Sequence, residues 1–174
     1  MDDDGARTQL LDAAEELFYA RGVQAVGMDE IRSASGVALK RLYRLFPSKD
    51  QLVDAVLERR DGAWRGRLSR FVDQYEDPDE RLLAVFDWLT EWFSDKDFRG
   101  CAWVNLHGEL GAQSAAVVQR TQEHKDALRA DLLALVTEAG RAPILADQLY
   151  LLVEGATVTA GIYGSTAPAH TARQ

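Results

Sequence analysis

The chain has 174 residues, a formal net charge of −8 and 47% hydrophobic side chains. That length can bury a core without disulfides or metals, is too short for the larger barrel folds, and lacks the composition of a disordered chain. One cysteine cannot form an internal disulfide, the first ten residues are acidic where a secretory leader would be basic and then apolar, and no run approaches the ~20 apolar residues of a membrane span. The expectation is a cytoplasmic protein with no membrane partner.

The elements read as helices from end to end. Leu10, Ala14, Leu17 and Phe18 fall on one helical face, and Gly22 stops that helix. A short helix from Met28 to Ser35 ends at Gly36, and another runs from about Leu39 to Leu45. Pro47 then breaks the chain, and Ser48-Lys49-Asp50-Gln51 is a capping box that opens a helix reaching about Val72. Asp77-Pro78-Asp79-Glu80 is a second strong start, leading into Leu82, Phe86, Leu89 and Phe93. Further helical stretches follow over about 101–111, 114–139 and 144–162, with Gly140 and Pro143 between the last two. Ser165 to Gln174 reads as a frayed tail. No strand alternation, repeat or linker interrupts this all-α pattern.

Charge is unevenly spread. Residues 1–31 and 71–99 are each net acidic, whereas 32–70 hold ten basic side chains against four acidic ones. A basic island inside an acidic chain can serve a nucleic acid or simply form a solvated helix face. Its densest part is the Leu39–Leu45 helix, which displays Lys40, Arg41, Tyr43 and Arg44 while Leu42 points inward. Two short helices joined through Gly36 match helix-turn-helix spacing, and the second would present its cations to a major groove.

The longer string carries more. Leu10-Leu11-Asp12-Ala13-Ala14-Glu15-Glu16-Leu17-Phe18, Arg21-Gly22, Met28-Asp29-Glu30-Ile31, Ser35-Gly36-Val37, Leu42-Tyr43 and Phe46-Pro47-Ser48-Lys49-Asp50-Gln51-Leu52 stand in an order and spacing that resembles the TetR family of transcriptional regulators. The resemblance is close over about residues 6–57 and elsewhere extends to layout alone. It implies a helix-turn-helix DNA-binding domain over 1–50 and a helical ligand-binding and dimerisation domain over 51–174. It further implies a homodimer on a pseudo-palindromic operator in double-stranded DNA, acting as a repressor released by a small-molecule effector. Carried over to this chain, Tyr43 would bond a phosphate, Lys49 and the amides of the following helix start would hold another, and Lys40, Arg41 and Arg44 would lie on the recognition helix. The chain departs from the family at Gly27, Arg32, Ala38 and Lys40-Arg41, where hydroxyl or small residues are usual. Charge thus replaces hydroxyl contacts, and binding is expected to be salt-sensitive.

Further along, Trp88 and Trp92 share a helix face, as do Trp103 and His107, with Asn105 and Glu109 nearby. These six are candidate effector contacts, and the alternative is that the aromatics fill a helical core. Cys101 is either inert packing or a redox sensor. Ala156, Ala160 and Gly164 repeat at four-residue spacing beside Leu149, Leu152 and Val153, a pattern suited to close helix packing across a dimer interface or within one monomer. No P-loop, Gly-rich dinucleotide fingerprint, zinc-protease helix or nucleophile elbow is present. The expectation is therefore a non-enzyme without catalytic residues, cofactor or metal. The other class kept open is a helical ligand-binding or protein-interaction module with little DNA affinity.

Overall fold

In the computed structural model, which describes residues 2–174, Asp2 caps helix α1 (Asp3–Arg21) by accepting the Gly5 N–H at 2.8 Å. Gly22 closes that helix at φ +83°, its N–H bonded to the Phe18 carbonyl. Helix α2 (Met28–Ser35) ends at Gly36, whose φ of +68° is the left-handed turn a side chain would resist. Helix α3 (Leu39–Leu45) follows, and neither Gly27 nor Ala38 supplies a side-chain cap. Helix α4 (Lys49–Val72) starts with the Gln51 N–H on Ser48 Oγ at 3.2 Å, one half of the expected capping box. Asp77 caps α5 (Pro78–Phe93) through the Asp79 N–H at 2.8 Å. Helices α6 (Ala102–Leu110), α7 (Ala115–Glu138), α8 (Ile144–Tyr163) and α9 (Ala167–Arg173) complete an all-helical chain, with no strand among the described residues.

Helix α9 corrects the expectation of a frayed tail. Pro168 sits at its start, Ala169 is fully buried, and Arg173 Nε donates to the Asp87 carboxylate at 2.7 Å. The helix packs on α5 and α8, so tertiary contact supplies what an Ala-rich heptamer lacks alone.

Two compact units result, one of residues up to Asp61 with Ala102–Thr121, the other of Gly62–Cys101 with Gln122–Gln174. Helices α4 and α7 run unbroken through positions where the chain passes from one unit to the other. In the first unit, α1, α2 and α3 bury Leu10, Ala14, Phe18, Ile31, Leu42 and Phe46 together with Leu52 and Val56 of α4. Each of these side chains larger than alanine contributes about 1.5–3 kcal/mol on burial. Arg59 and Arg60 of α4 clasp α1, reaching Asp12 and Glu15 at 2.6–2.7 Å, while the Arg60 guanidinium lies 4.2 Å over the Tyr19 ring.

The second unit is built on aromatics. Trp64 stands edge-on to Trp88, Trp92 and His124 at ring separations of 4.8, 5.3 and 5.2 Å, and Trp88 stacks on Trp92 at 5.5 Å. Helix α8 turns Val153, Ala156, Thr157 and Ala160 into this unit, where their small size admits α5 and α9 closely.

Candidate nucleic-acid interface

Helix α3 is one-sided. Leu42 is fully buried and anchors it, whereas Lys40, Tyr43 and Arg44 are exposed and Arg41 is half-buried. Tyr43 at 46% exposure is a large aromatic left outside the core, so its ring is available to an outside partner. The helix holds no acidic residue; its two arginines instead meet Asp3 of α1, which pairs with Arg44 and lies 3.7 Å from Arg41 Nε. Sequence reasoning missed that contact, since 41 positions separate Asp3 from Arg44.

Lys49 is placed differently from its cohort. Its ammonium donates to the Val23 carbonyl at 2.5 Å and sits 5.9 Å over the Phe18 ring. In the DNA-free chain, then, the loop after α1 supplies an oxygen partner for this ammonium. Lys49→Met keeps the apolar stem and deletes the charge-assisted bond. It is expected to lower thermal stability by about 1.5–3 kcal/mol with the salt dependence of DNA binding unchanged. A flattened salt dependence with unaltered melting would instead show the phosphate contact expected from the family resemblance.

Around this element the first unit is tied down by polar contacts. The Glu109 carboxylate of α6 accepts the Gln24 N–H at 3.2 Å, and Gln24 Nε2 donates to the Glu109 carbonyl at 2.8 Å. A Cβ at Gly22 would meet Glu109 Oε1 at 2.8 Å, so glycine is needed there for space as well as for its backbone angle. Arg120 of α7 holds Asp54 of α4 at 2.6 Å, and this hydrogen bond keeps the Asp54 carboxyl below the usual carboxylate range.

The six candidate effector residues fall in both units. Trp88 and Trp92 belong to the aromatic cluster of the second and are buried against Trp64 and His124. Trp103, Asn105, His107 and Glu109 belong to the first: Trp103 is buried, Asn105 and His107 are exposed, and Glu109 is committed to the Gln24 loop. The second unit also contains a cavity of 380 Å³ that the sequence did not suggest, floored by Leu68, Val72, Leu132 and Leu135 and rimmed by Arg65 and Arg81. Both arginines are paired, Arg65 with Asp131 at 2.9 Å and Arg81 with Asp73 at 2.5 Å. Cys101 is buried with its sulfur 3.4 Å from Lys125 Nζ, which also binds Glu154 at 2.6 Å. No group of metal-ligating side chains occurs among the described residues.

Of the candidate interface residues on α8, Val153, Ala156 and Ala160 are used inside the second unit, Leu149 is half-buried, and Leu152 and Gly164 are exposed. Small size allowed close approach, but the approaching helices are α5 and α9 of the same chain. The opposite face carries Ile144, Gln148, Leu151, Gly155, Val158 and Ile162 in a strict four-three spacing, with Leu151 at 68% and Ile162 at 71% exposure. A coiled-coil seam has that spacing.

Comparison with known proteins agrees with this geometry. The family model for bacterial regulatory proteins of the tetR family matches residues 10–56, the span from α1 into α4. The solved structure of sav143 from Streptomyces avermitilis, described as a tetR transcriptional regulator, is 31% identical with a TM-score of 0.81, the alignment covering 96% of this chain and 95% of that one. The chain belongs to the TetR family. Among curated relatives, the HTH-type transcriptional activator FasR of Mycolicibacterium smegmatis is 52% identical over 56 residues, 32% of this chain and 26% of FasR. The transcriptional repressor KstR2 of Rhodococcus jostii is 43% identical over 53 residues, 30% of this chain and 26% of KstR2. The chain spans from about a quarter to just over half the length of the curated relatives it matches first. Membership assigns the all-helical fold and the helix-turn-helix of α2 and α3 as a family feature. Among the described residues no helix is long and apolar enough to cross a membrane.

Proposed function

We propose that this TetR-family chain is a sequence-specific DNA-binding transcriptional regulator acting in the cytoplasm. The observation that carries the reading is the outward face of α3, where Lys40, Arg41, Tyr43 and Arg44 lie on a helix whose one buried side chain is Leu42. A helix seven residues long fits a major groove, and an arginine fork there can read guanine. Dimerisation through the Ile144–Ile162 seam would set two such helices about a two-fold axis, on half-sites one helical turn or a small multiple apart. The 380 Å³ cavity, with an apolar floor and paired arginines at its rim, suits a small-molecule effector, and repression released by that effector follows the family pattern.

The test is selection of bound sequences from a random DNA pool, followed by titration of the recovered site. Arg41→Ala or Arg44→Ala is expected to cost about 1–3 kcal/mol on the selected site and to relax one position per half-site. Tyr43→Phe should weaken all sequences modestly, because it deletes a phosphate donor and keeps the ring. If all three variants bind as the wild type does, α3 is not in the groove, and the ligand-binding or protein-interaction module takes its place.

A further inference from the structure

Asp3 occupies the first turn of α1 beside the capping Asp2, on a helix anchored by fully buried Ala6 and Leu10. Its carboxylate is therefore presented from a fixed scaffold, and it meets α3 at the two arginines, Arg44 and Arg41. The partners stay open to solvent, Arg44 with 58% of its side chain exposed and Asp3 with 56%, so the ion pair can open without dismantling the core. We propose that Asp3 is a specificity-determining residue, an internal anion that occupies the recognition-helix arginines until base edges of the correct site displace it.

The argument rests on reading α3 as the DNA-contacting helix, and it turns on what each kind of DNA offers. Phosphate is an anion much like carboxylate, so exchanging Asp3 for a phosphate changes little, and on random DNA the arginines remain with Asp3. The recognition helix then meets the duplex with one of its three positive charges cancelled, which weakens the sequence-independent attraction. A guanine edge presents two acceptors in a fixed geometry that forks with one arginine, so at the right sequence the exchange is favourable. Asp3 thereby penalises the wrong sites more than the right one, which is how discrimination is gained by a repulsive element.

The experiment compares Asp3→Asn with Asp4→Asn on the selected operator and on random-sequence duplex over a salt series. Both remove one negative charge from the same helical turn, but among the described residues Asp4 makes no ion pair with α3. Asp3→Asn is expected to raise affinity for random DNA by about two- to fivefold, to steepen its salt slope by about one, and to change operator affinity less, so the specificity ratio falls. Asp4→Asn should do none of this, and in an Arg41→Ala, Arg44→Ala background Asp3→Asn should have no effect. Equal effects of the two asparagine variants would reduce Asp3 to bulk charge and overturn the proposal. So would a fall in operator affinity in Asp3→Asn, since Asp3 would then orient the arginines. Failure of the underlying reading looks different: wild-type protein would bind neither DNA, or Arg41→Ala and Arg44→Ala would be silent on the operator. Melting by circular dichroism confirms that both asparagine variants fold.

Discussion

Trp64→Ala should cost about 3–5 kcal/mol of stability, the range for emptying a buried indole site. Trp64 is 6% exposed and makes edge-on contacts with Trp88, Trp92 and His124 at once, so its removal strips one wall from three rings. Trp88 and Trp92 stack on each other and cannot both move into the void without losing that arrangement. The indole nitrogen of Trp64 is itself buried without a hydrogen-bond partner. Trp64→Phe deletes that unsatisfied donor while keeping an aromatic ring, so the loss of volume and the relief of desolvation oppose each other. The net change should stay within about 1 kcal/mol. Chemical denaturation followed by circular dichroism measures both. A Trp64→Phe cost as large as that of Trp64→Ala would mean that the ring contacts are not what holds the site.

The second large effect concerns assembly. Leu151→Asp or Ile162→Asp should weaken the proposed homodimer by about a hundredfold or more, because each places a carboxylate among the exposed apolar side chains of α8, where association would strip it of water. The side chains are 68% and 71% exposed in one chain, so the monomer should keep its helicity and melting point. Ala160→Arg provides the contrast. Ala160 has no exposed surface and faces inward, so that variant should unfold the second unit instead of merely separating subunits. Sedimentation velocity together with circular dichroism distinguishes the outcomes. If Leu151→Asp and Ile162→Asp both sediment as wild-type dimers, the contact surface lies elsewhere.

The contrast between the two faces of α8 shows where sequence reading stopped. Periodicity located Ala156 and Ala160 on one face, but small residues admit any close helix, and the pattern does not say whether that helix is internal. The aromatic pair was legible in the same partial way. Trp88 and Trp92 had to share a face of α5, while the indole that completes the cluster comes from α4, 24 positions earlier than Trp88, with no local signal. Boundaries set by local chemistry were fully readable: Gly36 ends α2, Asp77 and Pro78 open α5, and α3 spans the expected residues. Lys49 shows the complementary limit. A lysine in the first turn of a helix calls for an external anion, and the carbonyl that Val23 offers it in the free chain, 26 positions away, has no local signal.

The bond pair between Glu109 and Gln24 has a practical consequence for anyone building chimeric regulators. A helix-turn-helix cut within α4 and joined to a foreign sensor would leave α6 behind. Here the loop between α1 and α2 borrows two hydrogen bonds from α6, and Gly22 is shaped to receive the carboxylate that makes one of them. A graft ending at Asp61 would leave the Gln24 N–H to water and the loop with fewer constraints. Transplants from this chain should therefore carry Ala102–Thr121 as well, or supply an acidic side chain at the equivalent place.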